Sequence, residues 1–156
     1  MMIINFIMGF LVPVLVVAFH LYKREPGIVI LVGSFTAVLA FLINEFGYYF
    51  SFWKVLPYEL GSFAVLPFIL GLYPSLASYM VYLIKKYGNP LSHTLLMTVF
   101  TTILETIYVW TGMAEYGNGW NLFWTFISYL VPFTVVYIYF RLLKKALVHG
   151  FSWIKR

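Results

Sequence analysis

The stretch MMIINFIMGFLVPVLVVAFHLYKREPGIVILVGSFTAVLAFLINEF, residues 1–46, decides the fold class. Residues 1–22 are apolar apart from Asn5 and His20. As a helix rising 1.5 Å per residue they reach roughly 33 Å, enough to cross a hydrocarbon core about 30 Å thick. The polar run Lys23, Arg24, Glu25, Pro26 and Gly27 turns the chain, and residues 28–46 are apolar again. Two spanning runs joined by a short charged turn predict a transmembrane helical hairpin. A cleaved signal peptide would bring a basic start, a shorter apolar core and a small-residue cleavage site. None is present, so the first span is expected to stay. Composition points the same way: of 156 residues, 63% are hydrophobic and 10% charged, against about 25% charged in a soluble domain. With a mean hydropathy of +0.92, too few polar side chains exist to coat a water-facing surface, and the expected solvent is lipid.

Working outward, Tyr48, Tyr49, Phe50, Phe52 and Trp53 extend the second run as an aromatic collar of the kind found at membrane interfaces. A third run follows from about residue 60 to 84, and Pro67 and Pro74 within it predict a kink. The break Lys85–Pro90 precedes a fourth run over 91–113. A Gly-, Asn- and Trp-rich turn at 114–121 leads to a fifth over 122–143, with Pro132 inside it. The prediction is a single all-α integral membrane domain over 1–156, a bundle of five transmembrane helices at about 1–22, 28–50, 60–84, 91–113 and 122–143. Residues 144–156 are too short and too charged to cross. Their Leu147, Val148, Phe151, Trp153 and Ile154 suggest a basic interfacial tail. No internal repeat is visible, and an odd span count disfavours a simple duplication.

Sidedness follows from the ten cations. Lys23, Arg24, Lys85, Lys86, Arg141, Lys144, Lys145, Lys155 and Arg156 fall on one side of this topology, and only Lys54 on the other. The positive-inside rule then places the N-terminus outside and the C-terminus in the cytoplasm. Topology and contact with anionic lipids account for the net charge of +5, so nucleic-acid binding is set aside. The absence of cysteine removes disulfides, thiolate metal sites and cysteine nucleophiles. His20 and His93 fall at cytoplasmic ends and His149 in the tail, away from the glutamates, so neither a metal nor a cofactor is expected.

Thr94, Thr98, Thr101, Thr102, Glu105, Tyr108 and Gly112 recur at spacings of three and four, on one face of the fourth span. Hydrocarbon cannot replace their hydrogen bonds, so this stripe should face the bundle interior. The threonines can be satisfied by their own backbone carbonyls. Glu105 cannot: it lies roughly 21 Å along the helix from Leu91, short of the interface, where an ionisable group marks either function or a structural hydrogen-bond hub. Asn44 and Glu45 sit near the same outer end of the second span. Glu45 could approach Glu105 and share a proton with it; the favoured alternative is that it reaches the interface and meets Lys54 or water, because the aromatic collar begins three residues later. Candidate ligand- or proton-binding residues are therefore Glu105, Glu45, Asn44, Thr98, Thr101, Thr102 and Tyr108. Gly71, Pro74, Ser75, Ser78 and Tyr82 on the third span, and Asn121, Thr125, Ser128 and Pro132 on the fifth, read as helix-packing faces.

NEFGYYFSFWKVL at 44–56 and PFILG at 67–71 are similar to an uncharacterised family of small multi-spanning membrane proteins from endospore-forming bacteria. The likeness covers the middle third of the chain. It implies a multi-pass protein of the inner (plasma) membrane and no assigned activity, and it carries over no functional residue. No nucleotide loop, catalytic triad pattern, His-Glu zinc motif or aspartate is present. Three functions fit. The first is binding or transport of a proton, a cation or a small cationic or amphipathic solute through a polar cavity in the outer half of the bundle. The second is a structural subunit of a homo-oligomer or membrane complex. The third is an intramembrane enzyme acting on a lipid or isoprenoid with a glutamate general acid.

Overall fold

The computed structural model describes residues 1–150, with side chains through Leu147. Five helices and two short strands follow in order: α1 (Met2–Leu21), α2 (Ile28–Tyr49), β1 (Trp53–Val55), α3 (Tyr58–Tyr87), α4 (Pro90–Trp110), β2 (Ala114–Tyr116) and α5 (Leu122–Gly150). The expected boundary at residue 143 is passed without a break, since α5 continues to Gly150. Phe151, Trp153 and Ile154 of the expected tail lie outside the described residues. Helices α1, α2, α3 and the Leu122–Leu147 part of α5 are long and apolar enough to cross a membrane, which makes this a membrane protein. Helix α4 has the length, 21 residues, but its threonines and Glu105 dilute its apolar character.

Local chemistry sets the turns. Gly88 at φ 74° ends α3, whose last turn carries Lys85 and Lys86 against the helix dipole. Asn89 accepts a hydrogen bond from the Ser92 amide at 3.3 Å and Pro90 occupies the first turn, so α4 starts on a side-chain cap. The kink expected from Pro67 and Pro74 is displaced. Pro67 keeps helical angles, and the non-helical residue is Gly61 at φ 53° and ψ −134°, a conformation open to a residue without Cβ.

Helix α3 is the hub, packing on α1, α2, α4 and α5, while α5 also packs on α4 and α2. At the α1–α3 crossing a Cβ on Gly71 would lie 2.3 Å from the Gly9 carbonyl oxygen and 2.5 Å from Phe10 Cα. Two glycines thus let the backbones touch, as close packing between lipid-facing helices requires. One end of the bundle is basic. There Lys85 pairs with Glu25 at 2.6 Å, Arg24 donates to the Tyr82 hydroxyl at 3.4 Å, and His20 Nδ1 meets the Tyr79 hydroxyl at 2.8 Å. At the other end β1 and β2 pair antiparallel, Trp53 opposite Tyr116, Lys54 opposite Glu115 and Val55 opposite Ala114. The five helices therefore alternate between a basic end and a sheet end. The sheet was expected as two separate loops, because strands of three residues, far apart in sequence, leave no periodic signal.

Towards the basic end the interior is closed. Val32, Ala77, Met80, Val81 and Val136 are fully buried in one apolar cluster with Ile28, Ile84, Met97 and Phe133.

A carboxylate-ended cavity as the candidate functional site

Towards the sheet end the helices separate around a cavity of about 430 Å³, to which all five helices and both strands contribute. That volume is in the range of small-molecule sites. Its walls are mainly apolar, from Leu39, Ile43, Phe68, Leu72, Leu104 and Phe133, and its polar groups are few. The polar cavity expected from the sequence is corrected by the fate of the threonine hydroxyls. Thr98, Thr101 and Thr102 are buried and face the interior as the spacing predicts, but they donate to the carbonyls of Thr94, Met97 and Thr98 at 2.9, 2.7 and 2.8 Å. A hydroxyl satisfied within its own turn presents mostly its methyl group. Of the three, Thr101 alone lines the cavity.

Glu105 lines it too, and is the centre of a hydroxyl network. The Tyr129 hydroxyl donates to Oε2, and Thr125 Oγ1 lies 3.2 Å from Oε1. Thr125 Oγ1 receives the Trp120 indole N–H at 2.9 Å and lies 2.9 Å from the Tyr116 hydroxyl. With the threonine proton on Glu105, Tyr116 must donate into Thr125, so donors from α5 and β2 converge on the carboxylate. The Tyr73 hydroxyl adds a further contact, 3.4 Å from that of Tyr129. Burial pushes the Tyr116 phenol above its ordinary range, and the Glu105 carboxylate adds to that shift, so Tyr116 stays a proton donor. Among the described residues the only ion pair is Lys85–Glu25 at the opposite end, leaving Glu105 without a cationic partner.

The other candidates divide. Asn44 lines the cavity and is nearly buried; its amide donates to the Ala40 carbonyl at 2.9 Å. Tyr108 lines it and donates to Asn5 Oδ1 at 3.0 Å, while the Asn5 amide donates to the carbonyls of Leu56 at 2.6 Å and Ala64 at 3.1 Å. Glu45 is exposed and takes no part in the cavity. The structure does not bring the two carboxylates together, because Glu45 follows Asn44 by one residue and so points about 100° away around the helix.

Reading the sequence missed Thr125 and Tyr129 as partners of Glu105, and Tyr73 and Tyr116 as the hydroxyls behind them. The i, i+4 spacing of Thr125 and Tyr129 on α5 was the available signal. A second cavity of about 270 Å³, between α1, α2 and α3, is walled by small residues including Gly33, Ser34, Gly71 and Ser78 and contains no ionisable group. Compared with protein-family models, curated proteins and solved structures, the chain matches none of them.

Proposed function

We propose that this chain is a five-span inner-membrane protein, N-terminus outside and C-terminus cytoplasmic, whose outer-half cavity binds and transports a small amphipathic cation. Three features favour all five helices crossing. The helices alternate between two ends, α4 joins those ends, and the cations of the first and third turns gather at one of them. Positive charge at that end marks it as cytoplasmic, which puts the cavity in the outer half.

The observation that carries the reading is Glu105 at the wall of an otherwise apolar cavity, held by hydroxyl donors and lacking a cationic partner. Hydroxyl donors at both oxygens fix the Glu105 carboxyl in place at the cavity wall. Its two oxygens offer about four acceptor positions, so room remains for a ligand. Apolar walls suit a ligand whose charge sits on a hydrocarbon body, and the rings of Tyr73, Tyr108 and Tyr129 add cation–π attraction. A hydrated inorganic ion would want several oxygen ligands instead.

The test is binding of dodecyltrimethylammonium to the protein in lipid nanodiscs, corrected for partition into empty nanodiscs. Glu105→Gln should weaken binding at least tenfold, and unchanged binding would overturn the reading. A structural role is the runner-up, favoured by the way Glu105 ties α4 to α5. It predicts that the same substitution lowers thermal stability and leaves binding intact. The enzyme reading is weakest, since hydroxyl groups already engage both carboxyl oxygens that would have to deliver a proton.

A further inference from the structure

Most residues of helix α1 are exposed on the outside of the bundle, and the cavity uses that. Met8 and Val12 on α1, and Phe100 and Ile107 on α4, all line the cavity. Yet they are 53%, 45%, 46% and 47% exposed on the outside of the bundle. A residue can do both only at the rim of an opening. Helix α1 leans on α3 and leaves α4 largely uncovered. On the opposite flank α2 and α5 pack together, and none of the residues they give to the cavity is exposed. At the sheet end Val55 and Ala114 are buried over the cavity and paired with each other. The cavity is therefore roofed and closed on its α2–α5 flank, and open between α1 and α4.

One bond crosses that gap. Among the described residues the Tyr108 hydroxyl to Asn5 Oδ1 is the only hydrogen bond between α1 and α4. Asn5 is itself fully buried and fixed by the Leu56 and Ala64 carbonyls. The bond spans the gap at the sheet end, and running antiparallel from it Val12 falls at the depth of Phe100.

We infer that the α1–α4 gap is a lateral portal, latched by Tyr108 and Asn5, through which the site takes its ligand from the bilayer and not from water. The inference rests on the proposed cation site and narrows its ligand to a single-chain amphiphile with one positive head. The chain dissolves in the leaflet and passes between Val12 and Phe100, and the head follows to Glu105. Apart from the latch itself, the rim residues Met8, Val12, Phe100 and Ile107 carry no charged or hydroxyl side chain, as a path for a hydrocarbon chain requires.

The protein contains no cysteine, so thiols can be placed without background. Val12→Cys with Phe100→Cys, joined by a short bis-methanethiosulfonate, ties the gap shut. Association of dodecyltrimethylammonium carrying a terminal bromine is then followed in nanodiscs by quenching of tryptophan, Trp53 being in the cavity wall. The expected result is at least a tenfold slower association, restored by dithiothreitol, with no slowing from the same tether between Ser34→Cys and Leu70→Cys at the other groove. An unchanged rate with the tether intact overturns the portal while leaving the Glu105 site standing. Undiminished binding to Glu105→Gln instead overturns the site itself. Tyr108→Phe keeps the ring and removes the latch donor. It should speed association several-fold, and an unchanged or slower rate overturns the latch.

Discussion

The basic half and the sheet half of this bundle are made of the same helices and filled in opposite ways. Near the basic end Ala77, Met80 and Val81 are fully enclosed by apolar neighbours. Near the sheet end α2, α3, α4 and α5 draw apart around about 430 Å³ of space bordered by tyrosines and one carboxylate. One half holds the helices in register, and this frees the other to remain open. A fold that spent its close packing evenly would have no room for Glu105 and its hydroxyl partners.

The contrast can be broken most strongly from the packed side. Met80→Ala should cost about 2–5 kcal/mol in thermal or denaturant unfolding of the detergent-solubilised protein, because it opens a hole where none exists. Leu104→Ala, in the cavity wall, should cost less than about 2 kcal/mol, since its neighbours already border empty space. Equal losses would mean that the halves are not packed differently. Gly71→Ala comes next, at about 1–3 kcal/mol by the same measurement, because its Cβ would meet the backbone of α1. Glu105→Gln then separates function from packing: a tenfold loss of ligand binding corresponds to about 1.4 kcal/mol. A large fall in melting temperature with binding preserved would favour the structural role.

The smallest effects are expected where hydrogen bonds are local or titrate late. Thr98→Val keeps the shape and removes a hydroxyl bonded only to its own helix, so stability should move by no more than about 0.6 kcal/mol and binding should not change. Tyr116 gives the pH arm. Its phenol is held above the ordinary value of 10.0 by burial and by Glu105, so the folded protein keeps a proton that the unfolded chain gives up. Stability should be intact below pH 10 and decline as pH rises beyond it. Tyr116→Phe should flatten that decline in unfolding midpoints recorded against pH.

Helices α1, α2, α3 and α5 were legible because each is a long apolar run, and the inward face of α4 because Thr94, Thr98, Thr101 and Thr102 repeat at helical spacing. Glu105 stood out as a charge that no turn or interface explains. What stayed hidden is what meets it. Spacing along a helix tells which side chains share a face but not which neighbour that face opposes. Tyr73, Tyr116 and Tyr129 therefore looked like ordinary aromatics of a chain that is 22% aromatic. Glu45 matches Glu105 in depth, and an interfacial place was the favoured reading for it; its direction around α2 keeps it out of the cavity. The three-residue strands were invisible for a similar reason: Trp53 and Tyr116 become partners only after two helices have brought them together.

Asn5 also sets an order in time. Its partners Leu56, Ala64 and Tyr108 lie 51, 59 and 103 residues further along the chain, so a ribosome makes all of them after α1, and Tyr108 last. Until the start of α3 arrives, the Asn5 amide sits in the membrane with neither of its final acceptors, and its oxygen waits for the end of α4. Helix α1 is thus seated early but fastened late. A nascent chain stalled before Tyr108 would hold it by two bonds of the eventual three, so the tie between α1 and α4 is the last of Asn5's bonds to become possible.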